Sequence, residues 1–190
     1  HDNGPKAIQA LADRQVDAIV AVSPAVAPEW LEALGRSVPL VMLGRHDEAQ
    51  HYDTVVGDDL LGSRLAVEHL LGLGHRRIAH VTLTPEAERN LPQAPHALRT
   101  EGYLATMRAT GLGDFTRVVH VAPTEEATYL ASLALLDEPQ PPTAIIAGHD
   151  ELAMGVLSAV AERGLTPSQC SVVGYDDTNI AAHPLLSLTS

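Results

Sequence analysis

The 190 residues carry a formal charge of −12, and 45% are hydrophobic while only 3% are aromatic. A chain of this length can bury one sizeable core or two smaller ones, and a core of Ala, Val, Leu and Ile suits helices layered on a parallel sheet rather than a sandwich. An acidic surface repels phosphate instead of releasing its counterions, which excludes this segment as a DNA binder by itself.

Apolar β-branched runs over 16–22, 38–43 and 54–56 read as strands, with the polar stretch 44–53 as a loop and a change of lobe near Gly57-Asp58. Asp58 or Asp59 then caps a helix reaching about Leu73, where Gly74 supplies a left-handed stop. Strand 77–83 follows, then a helix over 97–110 with Leu98, Tyr103, Leu104 and Met107 as its stripe and Gly111 as its end. After strand 117–121, Thr124 opens a helix whose first turn holds Glu125 and Glu126, where the helix dipole favours negative charge. That helix ends near Asp137, before the rigid connector Pro139-Gln140-Pro141-Pro142. Strand 143–147, helix 150–163 and strand 171–174 complete the pattern.

Several of these strands are too continuously apolar to have a wet face, and helices separate them, which indicates βαβ units in a parallel sheet. Helix 150–163 has almost no polar face, so its own sheet and something further must cover it.

Catalysis and metal binding find no support in the residues. Cys170 and Ser171 precede a buried strand without a glycine elbow, so no nucleophile stands beside a base. The ten histidines are scattered without ligand spacing, and Gly72-Leu73-Gly74-His75 follows a helix instead of preceding one, which removes a phosphate loop. No cofactor is expected. A single cysteine excludes an intrachain disulfide and fits a reducing cytosol, although a periplasmic protein can also lack bridges. No apolar run reaches the ~20 residues of a membrane span, and His1-Asp2-Asn3-Gly4-Pro5 is unlike a secretion signal.

Six ordered blocks, "VDAIVAVSP", "VPLVMLGR", "GSRLAVEHLLGLGHRRIAHV", "LRTEGYLATM", "PTAIIAGHDELAMGVLSAVAERGL" and "SVVGYDDTNIAAHPLLSLTS", resemble the effector-binding core of the lactose-repressor/galactose-repressor family over nearly the whole chain. The resemblance implies an α/β fold of two doubly wound parallel-sheet lobes, periplasmic-binding-protein-like, with ligand between them. Residues 1–57 would be part of the first lobe, incomplete in this span, 58–186 the second lobe, and 187–190 the start of a return crossover. It also implies a cytoplasmic transcriptional regulator, not an enzyme, that binds a small, polar, sugar-like effector. Operator DNA would be reached only through an N-terminal helix-turn-helix outside this span, with no membrane partner. A solute-binding protein of a sugar transporter, which shares the fold, is the alternative.

On this resemblance Arg99, in the spacing R-x-x-G-Y with Gly102 and Tyr103, forks onto effector oxygens as lysine cannot. Asp176 emerges at a strand's carboxyl end to accept hydroxyl hydrogen bonds, and the two are expected on opposite sides of one ligand volume. His149 stands beside them as ligand donor or bystander, while Asp150 caps its helix. Arg45 and Ser23, at first-lobe strand ends, are second-rank ligand candidates. Leu152, Met154 and Leu157, on the apolar helix, are assigned to a two-fold homodimer contact.

Overall fold

The computed structural model describes residues 4–85 and 94–190. They fall into two units, one formed by the described residues of His1–Asp58 and Glu88–Ala97, the other by those of Asp59–Ala87 and Leu98–Ser190.

The first unit contains α1 (Gly4–Asp13), β1 (Ile19–Val22), α2 (Pro28–Gly35), β2 (Leu40–Leu43) and β3 (Asp53–Val55). Its three strands are parallel in the order β1-β2-β3, with Ile19 opposite Leu40 and Leu43 opposite Val55. Ile19, Leu40 and Met42 face a core with Ile8 of α1 and Leu31 and Leu34 of α2. The alternate residues Val20, Val22 and Val55 are exposed, so these strands are not among those buried on both faces. The helices α1 and α2 were not expected from the sequence. They are short, and α1 buries only Ile8, so neither shows a long periodic stripe.

The second unit holds the strands buried on both faces. Its elements are α3 (Asp59–Gly72), β4 (Ile78–Leu83), α4 (Pro95–Ala109, entered from the first unit), a 3-10 turn (Gly113–Phe115), β5 (Arg117–Val121), α5 (Glu125–Leu136), β6 (Ala144–Ala147), α6 (Asp150–Glu162) and β7 (Ser171–Val173). The sheet is parallel in the order β5-β4-β6-β7. Its central strands are buried on both faces: Ala79, Val81, Ile145 and Ala147 under α5 and α6, and Ile78, Ala144 and Ile146 under α3 and α4. Helices on both faces of a parallel sheet make a doubly wound layer, in which ligands meet the carboxyl ends of the strands.

The local signals explain the boundaries. Thr124 accepts a hydrogen bond from the Ala127 N–H at 3.1 Å and so caps α5. Gly74 and Gly111 take the positive φ expected of helix stops, at 94° and 75°. At the opposite end of the sheet, His75 bonds Thr143 Oγ1 and Ser171 Oγ, both at 3.0 Å, pinning the starts of β6 and β7 to the end of α3.

One buried polar group sits in the middle of this core. His80 of β4 bonds the Ile146 carbonyl through Nδ1–H at 3.2 Å and lies 5.4 Å from the Tyr103 ring. Burial pushes its pKa down to about 4, so the ring is neutral near pH 7.

Candidate functional site

The R-x-x-G-Y spacing acquires a physical meaning on α4. Tyr103 is fully buried, and its hydroxyl donates to the Ile78 carbonyl at 2.7 Å, anchoring the helix on the sheet. Gly102 lets α4 approach α3 closely, because a Cβ there would stand 2.8 Å from the Leu60 carbonyl and 3.0 Å from Ser63 Cβ. The Ser63 hydroxyl closes the same contact by donating to the Arg99 carbonyl at 2.6 Å. One turn before Gly102, Arg99 is thereby held against the first turn of α3.

Its guanidinium joins three elements. Nε donates to Asp59 Oδ1 at 2.8 Å, Nη1 donates to the Gly148 carbonyl beyond β6 at 2.5 Å, and Nη2 pairs with Asp176 Oδ1 beyond β7 at 3.3 Å. The Tyr175 ring lies under the group, 3.7 Å from Cζ, which fixes the guanidinium plane by a cation–π contact. Tyr175 reaches this place because Gly62 of α3 has no side chain, and a Cβ there would collide with its hydroxyl. Arg99 and Asp176 are therefore neighbours in direct contact, not partners across a ligand volume.

Asp176 projects from a strained turn. Its φ is 97° and that of Asp177 is 47°, both in the left-handed region that aspartate tolerates better than most residues. The turn is held from below by Asp150. Oδ1 accepts the Tyr175 N–H at 3.0 Å and the Ser190 hydroxyl at 2.7 Å, and Oδ2 accepts the Thr178 N–H and hydroxyl at 2.8 and 2.6 Å. Burial works against the Asp150 charge, but these donors outweigh it and hold the pKa below the usual carboxylate range. The expected helix cap is thus a loop anchor. The N-cap position belongs to His149, whose side chain makes no cap hydrogen bond.

Electrostatics divide the roles. Burial raises the Asp176 pKa, opposed by the Arg99 charge, while its side chain remains 40% exposed. Burial lowers the pKa of His149, against the pull of Asp176 and Glu151, so the ring is neutral near pH 7. Arg99, Asp176 and His149 thus lie near one another, and Asp59, Tyr175 and Asp150 join them. In sequence the Asp59 and Asp150 carboxylates look like helix caps, and only their tertiary partners show the second role.

The other two candidates sit in the first unit. Arg45 is 1% exposed, and its guanidinium donates to Asp47 at 2.6 and 3.2 Å and to the Pro24 and Val26 carbonyls at 2.5 and 2.9 Å. A side chain with its donors so engaged holds its own loops together, which corrects its assignment as a ligand contact. The Ser23 hydroxyl points back to the Leu43 and Gly44 carbonyls at 3.3 and 3.2 Å.

On α6 the assignments separate. Leu152 is 1% exposed inside the core of its own unit and cannot belong to a surface contact. A second face of α6 is covered by α5, which approaches so closely that a Cβ on Gly155 would lie 2.6 Å from the Glu125 carbonyl. Met154 and Leu157 remain partly exposed, and Leu157 lines a groove with Leu73, Leu165 and Leu186 along the β7 edge. A neighbouring groove is lined by Gly62, Leu65, His69, Tyr175, Asp176 and Ser190.

Among the described residues no histidine, cysteine or carboxylate cluster could hold a metal ion, and no helix is long and apolar enough to cross a membrane.

Comparison with known proteins places this geometry. Residues 67–190 match the family described as "Periplasmic binding protein-like domain". Catabolite control protein A of Priestia megaterium is 31% identical over 188 residues, covering 93% of this chain and 53% of that protein. The chain therefore spans about half the length of the curated relatives it matches. Among solved structures, a LacI transcriptional regulator from a Rhodococcus species aligns with a TM-score of 0.86 at 36% identity, covering 96% of this chain and 66% of the other. A LacI family regulator from Enterococcus faecium with bound ribose aligns at 0.79 and 28% identity, covering 96% and 67%.

Proposed function

Since the chain belongs to the periplasmic-binding-protein-like family, as the effector domain of LacI-type regulators, which are not enzymes, we propose that it senses a small, polar, sugar-like molecule at the rim formed by Arg99, Asp176 and His149. The observation that carries this reading is the guanidinium fixed between α3, β6 and β7 beside a half-exposed carboxylate. Forked donors next to an acceptor complement the adjacent hydroxyls of a sugar. The ribose held by the Enterococcus faecium regulator supports that ligand class. In this reading the protein works in the cytoplasm, and operator DNA is engaged by a helix-turn-helix outside these 190 residues. Effector binding regulates it by favouring one of two arrangements through unequal affinity.

A thermal-shift panel of free sugars tests the reading, run on the wild type and on Arg99→Lys. A ligand at a hundred times its dissociation constant adds about 2.7 kcal/mol to stability. At least one sugar should raise the wild-type melting temperature and leave the variant unmoved. A panel that shifts both proteins equally, or neither, removes the site.

The assembly proposed with this function is a two-fold homodimer through the α6 face that carries Met154 and Leu157. Both residues are partly exposed on a helix that buries Leu152, Ala153, Val156, Ala159 and Val160 in the core of its unit. Sedimentation should show a dimer for the wild type and a folded monomer for Met154→Asp combined with Leu157→Asp. A wild-type monomer at micromolar concentration rejects it.

A further inference from the structure

The charges gathered at the Arg99 rim constrain its ligand further than its shape does. Arg99 is the cation of the cluster, and it acts on Asp176 together with Asp59 and Asp150. Asp59, on the first turn of α3, is nearly buried and holds Nε of Arg99 at 2.8 Å, so one full positive charge is already matched before any ligand arrives. Asp176 adds a second carboxylate at 3.3 Å, and Asp150 a third, kept ionised by its four hydrogen-bond donors. Asp177 adjoins them, and Glu151 stands 3.9 Å from His149 Nε2. His149 adds no compensating charge near neutral pH, because burial disfavours its cationic form. One guanidinium is thus paired with two carboxylates, and Asp150 adds its charge next to Asp176, in a partly desolvated place where Coulomb forces act more strongly than in water.

We propose that Asp59, by neutralising Arg99 from the inner side, makes this rim selective for uncharged polyhydroxyl ligands over phosphorylated or carboxylated ones. The proposal rests on the effector reading above and concerns the charge of the ligand. In it Arg99 acts as a fixed fork of hydrogen-bond donors, not as a net positive site. An anion reaching for the fork approaches Asp176 at the same time, and that repulsion offsets the ion pairing it would gain. A neutral hydroxyl pays no such penalty and can donate to Asp176 while it accepts from Arg99.

Matched pairs supply the test: ribose with ribose 5-phosphate and glucose with glucose 6-phosphate, titrated calorimetrically into the wild type, Asp59→Asn and Arg99→Lys. In the wild type the free sugar of a binding pair should bind at least about tenfold tighter than its phosphate, and Asp59→Asn should narrow that ratio by about tenfold. Circular dichroism verifies that the variant is folded. A salt series on the wild type needs no variant at all. Raising ionic strength should improve the relative binding of the phosphate, since screening weakens a repulsion. Arg99-dependent binding of either phosphate as tightly as its free sugar in the wild type overturns the charge selectivity and leaves the effector site standing. Absence of Arg99-dependent binding by every member of both pairs overturns the sugar-effector reading, and the selectivity with it.

Discussion

Arg45 follows β2 by two residues and Arg99 lies in the second turn of α4, and each holds a carboxylate at close range, Asp47 at 2.6 Å and Asp59 at 2.8 Å. Around Arg45 the remaining donors meet the Pro24 and Val26 carbonyls, and both members of the ion pair are sealed from water. Around Arg99 the third partner is Asp176, whose side chain is 40% exposed on a turn with positive φ. The difference lies in what closes the circle. Backbone carbonyls within a loop make a strut, whereas a carboxylate on a strained turn leaves the arginine's last partner open to solvent. An arginine at the carboxyl end of a parallel sheet is therefore not sufficient evidence of a site. Its last partner decides.

The comparison can be broken most sharply at Arg45. Arg45→Ala leaves Asp47 buried without its cation, which should cost about 3–5 kcal/mol. Urea unfolding followed by Trp30, the single tryptophan and part of the first core, reads the loss directly. A loss under about 1 kcal/mol would mean that the strut is dispensable.

An acid titration carries the contrast into the second unit. His80 has a folded pKa of about 4, below its ordinary 6.5, so the folded state resists the proton that the unfolded chain accepts. Its contribution is complete above pH 6.5 and is lost as the pH falls from 6.5 towards 4, by about 3 kcal/mol in total. Protection of the Ile145 and Ile146 amides against exchange, taken relative to the unfolded-chain rate at each pH, should fall over that range in the wild type and less so in His80→Leu. Equal responses from the two proteins would relieve His80 of the effect.

Arg99→Lys sharpens the comparison at the open arginine. It should keep the fold and lose about 1.5–3 kcal/mol of effector affinity, because a point charge replaces forked donors. Calorimetry with a sugar that passes the thermal screen would show the loss, and unchanged affinity would remove the fork. The smallest effect is expected at a residue that neither site uses: Thr124→Ala should cost about 1 kcal/mol by removing the cap of α5 and leave ligand affinity unaltered. A shift in affinity there would show that α5 communicates with the rim.

The second unit was legible along the chain for identifiable reasons. Strands such as 144–147 are apolar without interruption because both faces are covered, and Gly74, Gly111 and Thr124 mark helix ends through local backbone chemistry. The first unit was less legible. Its α1 and α2 are short, and Val20, Val22 and Val55 look like core residues in sequence although they lie exposed. Arg99, Asp176 and His149 are candidates drawn from the family pattern at strand and helix ends. The sequence by itself determined the order of strands and helices, because periodicity and capping act between residues a few positions apart. Only the tertiary structure could decide that Leu152 lies inside, that Arg45 is sealed, that Asp59 holds Arg99, and that Asp150 anchors the loop after β7. Those outcomes depend on which groups meet from 20 to 40 positions away: Pro24 with Arg45, Asp59 with Arg99, and Asp150 with Tyr175 and Ser190. No local pattern encodes such meetings, since hydrogen bonds and burial depend on proximity in space rather than along the chain.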